Sequence, residues 1–580
     1  MSALSILGFG LSFVVGTNNA LAATYYIDFS AGADSQNGTS KSTSWKHNPY
    51  MSGWTGSYSH TAGDRFIFKG GVTWDSTNWR MQPTSGGTTG TYDYYGVDKT
   101  WYTGSSWTRP VFDGASAPIL PNGHMIQLEA GWIEFDNIEM RNITSATGAQ
   151  FIAVDAVSNI LVTNCWLHGA NQKTFSISSI SRSSSGVISV VTSSPTNFTG
   201  TGTVSGCPLN CAVIYGVTGD TSVNTYCGNQ CARSSPSANL FPISAFTDNQ
   251  HFSIATTNST ASGSTSGGTI MNSDGYILFL SSGGAPANLV LDNSIVSNAE
   301  YSTTQNYGEV LYGWTTVQYS LIHDIGSVSS GIRSFHDSEV YDVSWPIATF
   351  DAGQHTDGAY LAFQEAAYNN WVYNYNANET FFYVNPEGDN STCTPNAAYI
   401  YNNVFMQGTG PGTISPFVDI NDYPGVAACD TVYILNNTFE MAGTPNTFRL
   451  VGRSTNGLTT TYFENNHIIT NTAAVAYSCG PGCGTFTNMD QIWQTVTTAN
   501  GQGYTGGNNW SPTFASNSTV GAGTNLTSMC SGLLAALCST TTLGNTISAA
   551  ARPSSGAWDV GAYMFSSTTS PPTGISVVTQ

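Results

Sequence analysis

Three carboxylates stand at near-equal steps in the second half of this 580-residue chain: Asp357, Glu387 and Asp419, 30 and 32 residues apart. Their surroundings, Asp351 to Gly358, Glu387-Gly388-Asp389 and Asp419-Ile420-Asn421-Asp422, read as loops, where binding groups concentrate. Paired carboxyl groups suit glycoside hydrolysis: one protonates the leaving oxygen while the other activates water or attacks the sugar. If successive segments stack like paired strands, Asp357 and Glu387 come to about 5 Å and Asp357 and Asp419 to about 9–10 Å, the retaining and inverting separations. His355 is placed to orient Asp357, and crowded acids raise the pKa of at least one of their number. Asp389, Asp422, Arg449 and Arg453 follow the same rhythm as candidate substrate contacts. The bland alternative is that these acids satisfy turn amides or hold a structural cation.

Aromatic residues crowd the same region, among them Tyr360, Trp371, Tyr373, Tyr375 and Tyr383. Aromatic faces stack on sugars through the apolar surface that also fills cores, so a share of these belongs to packing. The alternation of Trp371, Tyr373 and Tyr375 predicts one shared strand face. His323-Asp324 and His336-Asp337 are either a metal pair or solvated turn residues. No nucleophile elbow, phosphate loop or metalloprotease helix is present.

The elements that must position these groups repeat. Val290-Leu291-Asp292-Asn293-Ser294-Ile295, Ile400-Tyr401-Asn402-Asn403-Val404-Phe405, Leu435-Asn436-Asn437-Thr438-Phe439 and Phe463-Glu464-Asn465-Asn466-His467-Ile468 each read as a short strand, an asparagine-dominated pair, then another short strand. Periods of this length signal stacked repeats. Asparagine tolerates the left-handed backbone that turns a chain through a corner, so like corners can stack amide on amide. Strands this short and frequent leave no room for crossover helices, and parallel pairing then requires a coil; a β-sandwich or propeller is the rival architecture.

The pattern resembles the right-handed parallel β-helix of the pectate-lyase-like superfamily. Tyr25-Tyr26-Ile27-Asp28 with Gly32 to Trp45, Ala62 to Gly71, and Gly556 to Tyr563 are similar to opening and closing stretches of that superfamily. His355-Thr356-Asp357-Gly358 resembles the Asn-Thr-Asp-Gly motif of polygalacturonases, which implies a catalytic role for Asp357. Lyases of this fold imply a second chemistry, β-elimination from a uronic acid. There Asp357, Glu387 and Asp389 would hold Ca²⁺ and Arg333, Arg449 or Arg453 would act as base.

Fifteen basic against 35 acidic residues, a net charge of −20 and a pI near 4.5 argue against nucleic acid as partner and against an uncompensated anionic polymer as substrate. A neutral glycan is the easier substrate, and the hydrolase needs no cofactor. A non-catalytic carbohydrate-binding or adhesion protein is the reading from another class. Residues 1–22, with an apolar run from Leu4 to Val15 ending at Ala20-Leu21-Ala22, read as a signal peptide, so export is expected, with no membrane span and a monomeric state.

The expected all-β layout is an entry and first coils over 23–172, a small inserted β domain over 173–270, central coils over 271–500, terminal coils with a short capping helix over 501–565, and a disordered tail over 566–580. Cys207 with Cys211, Cys227 with Cys231, Cys479 with Cys483, Cys530 with Cys538, and Cys393 with Cys429 are disulfide candidates, with zinc an alternative for the first four cysteines. Cys165 is left over as a buried small hydrophobe.

Overall fold

The computed structural model describes residues 21–78, 80–114, 124–143, 149–170, 174–196, 198, 200–202, 211–218, 241–255, 264–272, 277–283, 288–299, 309–325, 327–330, 332–343, 360–361, 366–375, 382–384, 397–407, 418–420, 431–441, 451–453, 460–471 and 485–566. The expected signal peptide falls almost wholly outside these residues, and so does nearly all of the expected tail.

Short strands follow one another around an axis, each pairing in parallel with its counterpart one coil away. A thirteen-stranded sheet from Thr24–Ile27 to Thr485–Met489 forms a first wall, and a twelve-stranded sheet from Thr73–Trp74 to Ile492–Thr495 forms a second. A third wall is described in two pieces, of five strands (His124–Leu128 to Ser327–Ser330) and of four (Tyr360–Leu361, Phe382–Val384, Val418–Ile420 and Val451–Arg453). The protein is an all-β parallel β-helix.

Alternation along each strand gives one inward and one outward column. The inward column of the first wall runs Phe135, Val162, Leu291, Val317, Phe335, Ala367, Ile400, Ile434 and Phe463 in unbroken register. These side chains belong to a single apolar core extending from Ile27 to Ile468, and burying such a column is the main driving force for coiling.

The asparagine pairs divide the corner work. The first member takes the left-handed conformation, with φ of 56° at Asn369, 55° at Asn402, 49° at Asn436 and 55° at Asn465. The second member points inward as a rung of a buried ladder. Asn403 Nδ2 donates to Asn437 Oδ1 (3.0 Å) and to Ala367 O (2.9 Å), and Asn437 Nδ2 donates to Asn466 Oδ1 (3.0 Å) and to Ile400 O (2.9 Å). Ser294, Ser320 and Ser338 continue this ladder toward the N-terminus, their hydroxyls accepting from the backbone N–H one coil earlier. Each rung satisfies turn amides that water cannot reach.

Between Trp166–Ala170 and Ile277–Gly283 the chain leaves the coil. Six strands within Thr174–Asn272 pair antiparallel into a closed ring, Thr174–Arg182 bonding to both Val187–Thr192 and Thr269–Asn272, around its own core of Ile188, Ile214, Ile243, Ile254 and Ile270. The coil then resumes in register, Trp166–Ala170 pairing directly with Ile295–Ala299.

The segment expected as a capping helix is a 3₁₀ helix, Gly532–Cys538. It lies on the flank of the first wall rather than over the open end: Leu534 and Leu537 pack with Tyr401 and Leu435, and Tyr401 Oη donates to Leu533 O (2.8 Å). The flank offers apolar surface that a two-turn element can cover. The chain continues as a strap along the corner, held by Arg552, whose Nη2 donates to Asn402 Oδ1 and Gly561 O (both 3.1 Å). Cys530 and Cys538 form a disulfide, and Cys165 is free and buried. Cys211 lies in a strand, and the other candidate disulfide cysteines lie outside the described residues.

Candidate active site

Asp419 sits in the strand Val418–Ile420 of the third wall, paired with Tyr383 on one side and Gly452 on the other, and Tyr383 pairs in turn with Tyr360. Arg453 pairs with Ile420 in the adjacent column. Asp357 precedes its third-wall strand Tyr360–Leu361, Glu387 follows its strand Phe382–Val384, and Asp419 lies within its own. His355, Asp357, Glu387, Asp389, Asp422 and Arg449 all lie outside the described residues.

Trp371 is only 6 % exposed and is packed with Val404, Leu543, Ala562 and Tyr563, so it serves packing and offers no face to a sugar. Tyr375 does not share a face with Trp371 and Tyr373. Asn374 takes φ of 46°, the strand turns there, and Tyr375 points into the core with no exposure. Stacked rings also limit the sugar-platform idea. Tyr399, Tyr433 and Tyr462 stack at 5.1 and 4.7 Å with planes within 13°, so Tyr433 is covered by a neighbour on both faces and Tyr399 and Tyr462 on one each.

A set of protonatable groups with described side chains lies on the outward face of the second wall, on the strands Leu321–Ile325, Glu339–Val343 and Trp371–Tyr375. His323, Tyr341 and Tyr373 occupy one register column, and their rings stack at 4.8 Å and 4.9 Å. Asp324, the left-handed corner residue, has Oδ2 2.6 Å from His323 Nδ1. That contact fixes the proton on Nδ1 and leaves Nε2 as the basic nitrogen. Glu339 occupies the neighbouring column and its Oε1 accepts from Tyr373 Oη at 2.8 Å. Burial raises the Glu339 carboxyl above the usual range, opposed by the Tyr373 hydroxyl. Tyr341 is pushed up to about 12 by burial and by the charges of Glu339, Asp324 and Asp342.

Glu139 occupies the same column four coils earlier, and the contrast is chemical. Burial works to raise it too, but His168 Nε2 at 3.1 Å and Arg141 Nη1 at 2.9 Å hold it below the usual range as a structural ion. Among the described residues Glu339 has no such cation. His336 and Asp337 repeat the His–Asp contact (2.8 Å) on the first wall, where His336 is nearly buried and stacked on Tyr368, so the two pairs do not converge on one metal. Among the described residues no three His, Cys, Asp or Glu side chains gather as a metal site, and no helix is long and apolar enough to cross a membrane. The sequence carried one hint of the second-wall set, the His323-Asp324 dipeptide; the step to Glu339 emerges only once register is known.

No family model matches the chain, and no curated protein matches it. Twelve solved chains are similar in structure. One is a GH136 lacto-N-biosidase from Eubacterium ramulus, with a TM-score of 0.41 at 9 % identity over 82 % of this chain and 68 % of that one. The assignment of a parallel β-helix rests on the strand pairing described above, not on this likeness.

Proposed function

We propose that the protein is an exported enzyme that cleaves a neutral polysaccharide by hydrolysis. The observation that carries this reading is the outward face of the second wall, where carboxyl, imidazole and phenol groups succeed one another over three coils, about 4.8 Å apart, comparable to one pyranose unit. Charge supports a neutral substrate: residues 288–495 hold nineteen acids and three arginines. Asp357 remains the first carboxylate to test, because it follows in sequence the strand Glu339–Val343 that bears Glu339. Glu387 or Asp419 is its nominated partner and His355 its orienting neighbour. Asp389, Asp422, Arg449, Arg453, Tyr360 and Tyr383 are the nominated substrate contacts.

The test is a polysaccharide panel assayed for new reducing ends, with calcium and with chelator, on the wild type, Asp357→Asn and Asp419→Asn. Chelator-resistant release of saturated products that falls in the variants supports hydrolysis. An ultraviolet-absorbing unsaturated product that disappears with chelator would establish elimination instead. Intact polymers throughout would leave a binding protein.

A further inference from the structure

We propose that Glu339 is the proton donor of this reaction and that His323, held by Asp324, is the base that activates water. The inference rests on the hydrolase reading, and it moves the reacting pair from the segments around the third wall to the outward face of the second.

Four observations lead there. Among the described residues the Glu339 carboxyl takes one hydrogen bond, from Tyr373, and has neither a second donor nor a cation, unlike Glu139 in the same column. Burial raises that carboxyl above its usual range, the direction a general acid needs. Second, among the described residues His323 is bonded through Nδ1 only, and its side chain is 18 % exposed, so Nε2 faces toward solvent rather than a described partner.

Third, the strap closes one side of Glu339 at some conformational cost. Leu543, Gly544 and Asn545 take φ of 47°, 60° and 62° in succession. A side chain on Gly544 would stand 3.0 Å from Glu339 Cβ and 3.2 Å from Ser338 O, so only glycine passes. Left-handed leucine is disfavoured and persists where the surroundings enforce it. Fourth, Leu321 pairs with Glu339 and His323 with Tyr341, so Glu339 and His323 lie one coil and two residues apart. The strand spacing and rise put their Cα atoms about 8 Å apart on the outward face of the second wall, with the Tyr341 ring stacked on His323 at 4.8 Å.

The step balances with water as the only co-reactant. His323 Nε2 takes a proton from water, the water oxygen bonds to the anomeric carbon, the bond from that carbon to the glycosidic oxygen breaks, and the Glu339 proton goes to the leaving oxygen. Groups facing Glu339 are Tyr341 and Asp342 on its own strand, His323 and Asp324 on the coil before and Tyr373 on the coil after. The strap residues 540–547 carry no titratable group.

The experiment uses the full chain and a polysaccharide that the wild type degrades, with aryl glycosides of the same sugar as a second substrate. Glu339→Gln should lower kcat on the polymer by at least about 100-fold. It should retain most activity on a nitrophenyl glycoside, whose leaving group needs no proton. His323→Asn should lose activity on both substrates. Tyr373→Phe removes a bond that favours the charged carboxylate, so the alkaline limb of the kcat profile should move to higher pH. Glu339→Gln within two-fold of wild type on the polymer, with the same urea midpoint, overturns the assignment and leaves the hydrolase standing. A Tyr373→Phe profile superimposed on the wild type also counts against it. A wild type that cleaves no glycan overturns both readings.

Discussion

Asn437 tests the claim that buried amides, not strand pairing alone, hold the coils in register. Its side chain has no exposure and takes part in four hydrogen bonds: Oδ1 accepts from Asn403 N and Asn403 Nδ2 (both 3.0 Å), and Nδ2 donates to Ile400 O (2.9 Å) and Asn466 Oδ1 (3.0 Å). Asn437→Ala removes all four. Asn403 Nδ2 keeps Ala367 O and Asn466 Oδ1 keeps the Asn437 N–H, but the Asn403 N–H is orphaned and Ile400 O loses a donor. An orphaned buried group costs about 1–3 kcal/mol and each lost bond about 1 kcal/mol, so the substitution should cost about 3–4 kcal/mol. Asn437→Ser should cost less, because serine fills this rung at Ser320 and Ser338, where its hydroxyl accepts the previous coil's N–H. Asn437→Asp preserves shape but faces two acceptors, Ile400 O and Asn466 Oδ1, and donates to one of them only when protonated. Its folded pKa should lie above the unfolded value, so its stability should fall as pH rises. Urea midpoints between pH 4 and 8 provide the measurement. Less than about 1 kcal/mol lost in the alanine variant, or a pH-independent aspartate variant, would refute a ladder that contributes to stability.

Glu440 and His467 lie on the outward face of the second wall under the C-terminal segment, and burial moves both: Glu440 is raised to about 7 and His467 is lowered to about 4. A raised carboxyl gives stability that is full below its unfolded pKa and lost as pH rises through 7; a depressed imidazole gives stability lost as pH falls from its unfolded value toward 4. The two slopes offset one another over the shared range, so Glu440→Gln should unmask a urea midpoint that climbs toward pH 6.5 and then levels, a difference from wild type on the order of 3 kcal/mol. Identical profiles for wild type and variant would sink that account. Arg552→Met removes charged bonds to Asn402 Oδ1, Gly561 O and Ala562 O, and should cost about 3 kcal/mol and expose the segment after Ser539 to limited proteolysis before the coils unfold. Proteolysis at the wild-type rate would refute its role as the strap's fastening.

The fold was legible in the sequence because a corner is a local matter: Asn369, Asn402, Asn436 and Asn465 advertise left-handed turns, and each following Asn fills the rung the pattern implies. The candidate site was less legible because the register that brings Glu339 beside Tyr373 is set across coils and not locally. Trp371 could not be recognised as buried, since its cover comes from Leu543 and Tyr563, nearly two hundred residues on. Nor could Glu339 be told from Glu139 by type or spacing. The difference lies in the cations beside one and the single phenol beside the other.

The ring of antiparallel strands between Ala170 and Ile277 leaves the hydrogen bonds on either side as they would be without it: Thr163 Oγ1 donates to Asp292 and Cys165 N to Ser294 across 129 positions of chain. With its interior sealed on itself, such a module can be gained, lost or exchanged in one genetic event without unsettling its host. Replacing 174–272 by a short linker should yield a shorter protein with the same spine. That corner is where descendants of this protein can acquire new appendages while the rest stays fixed.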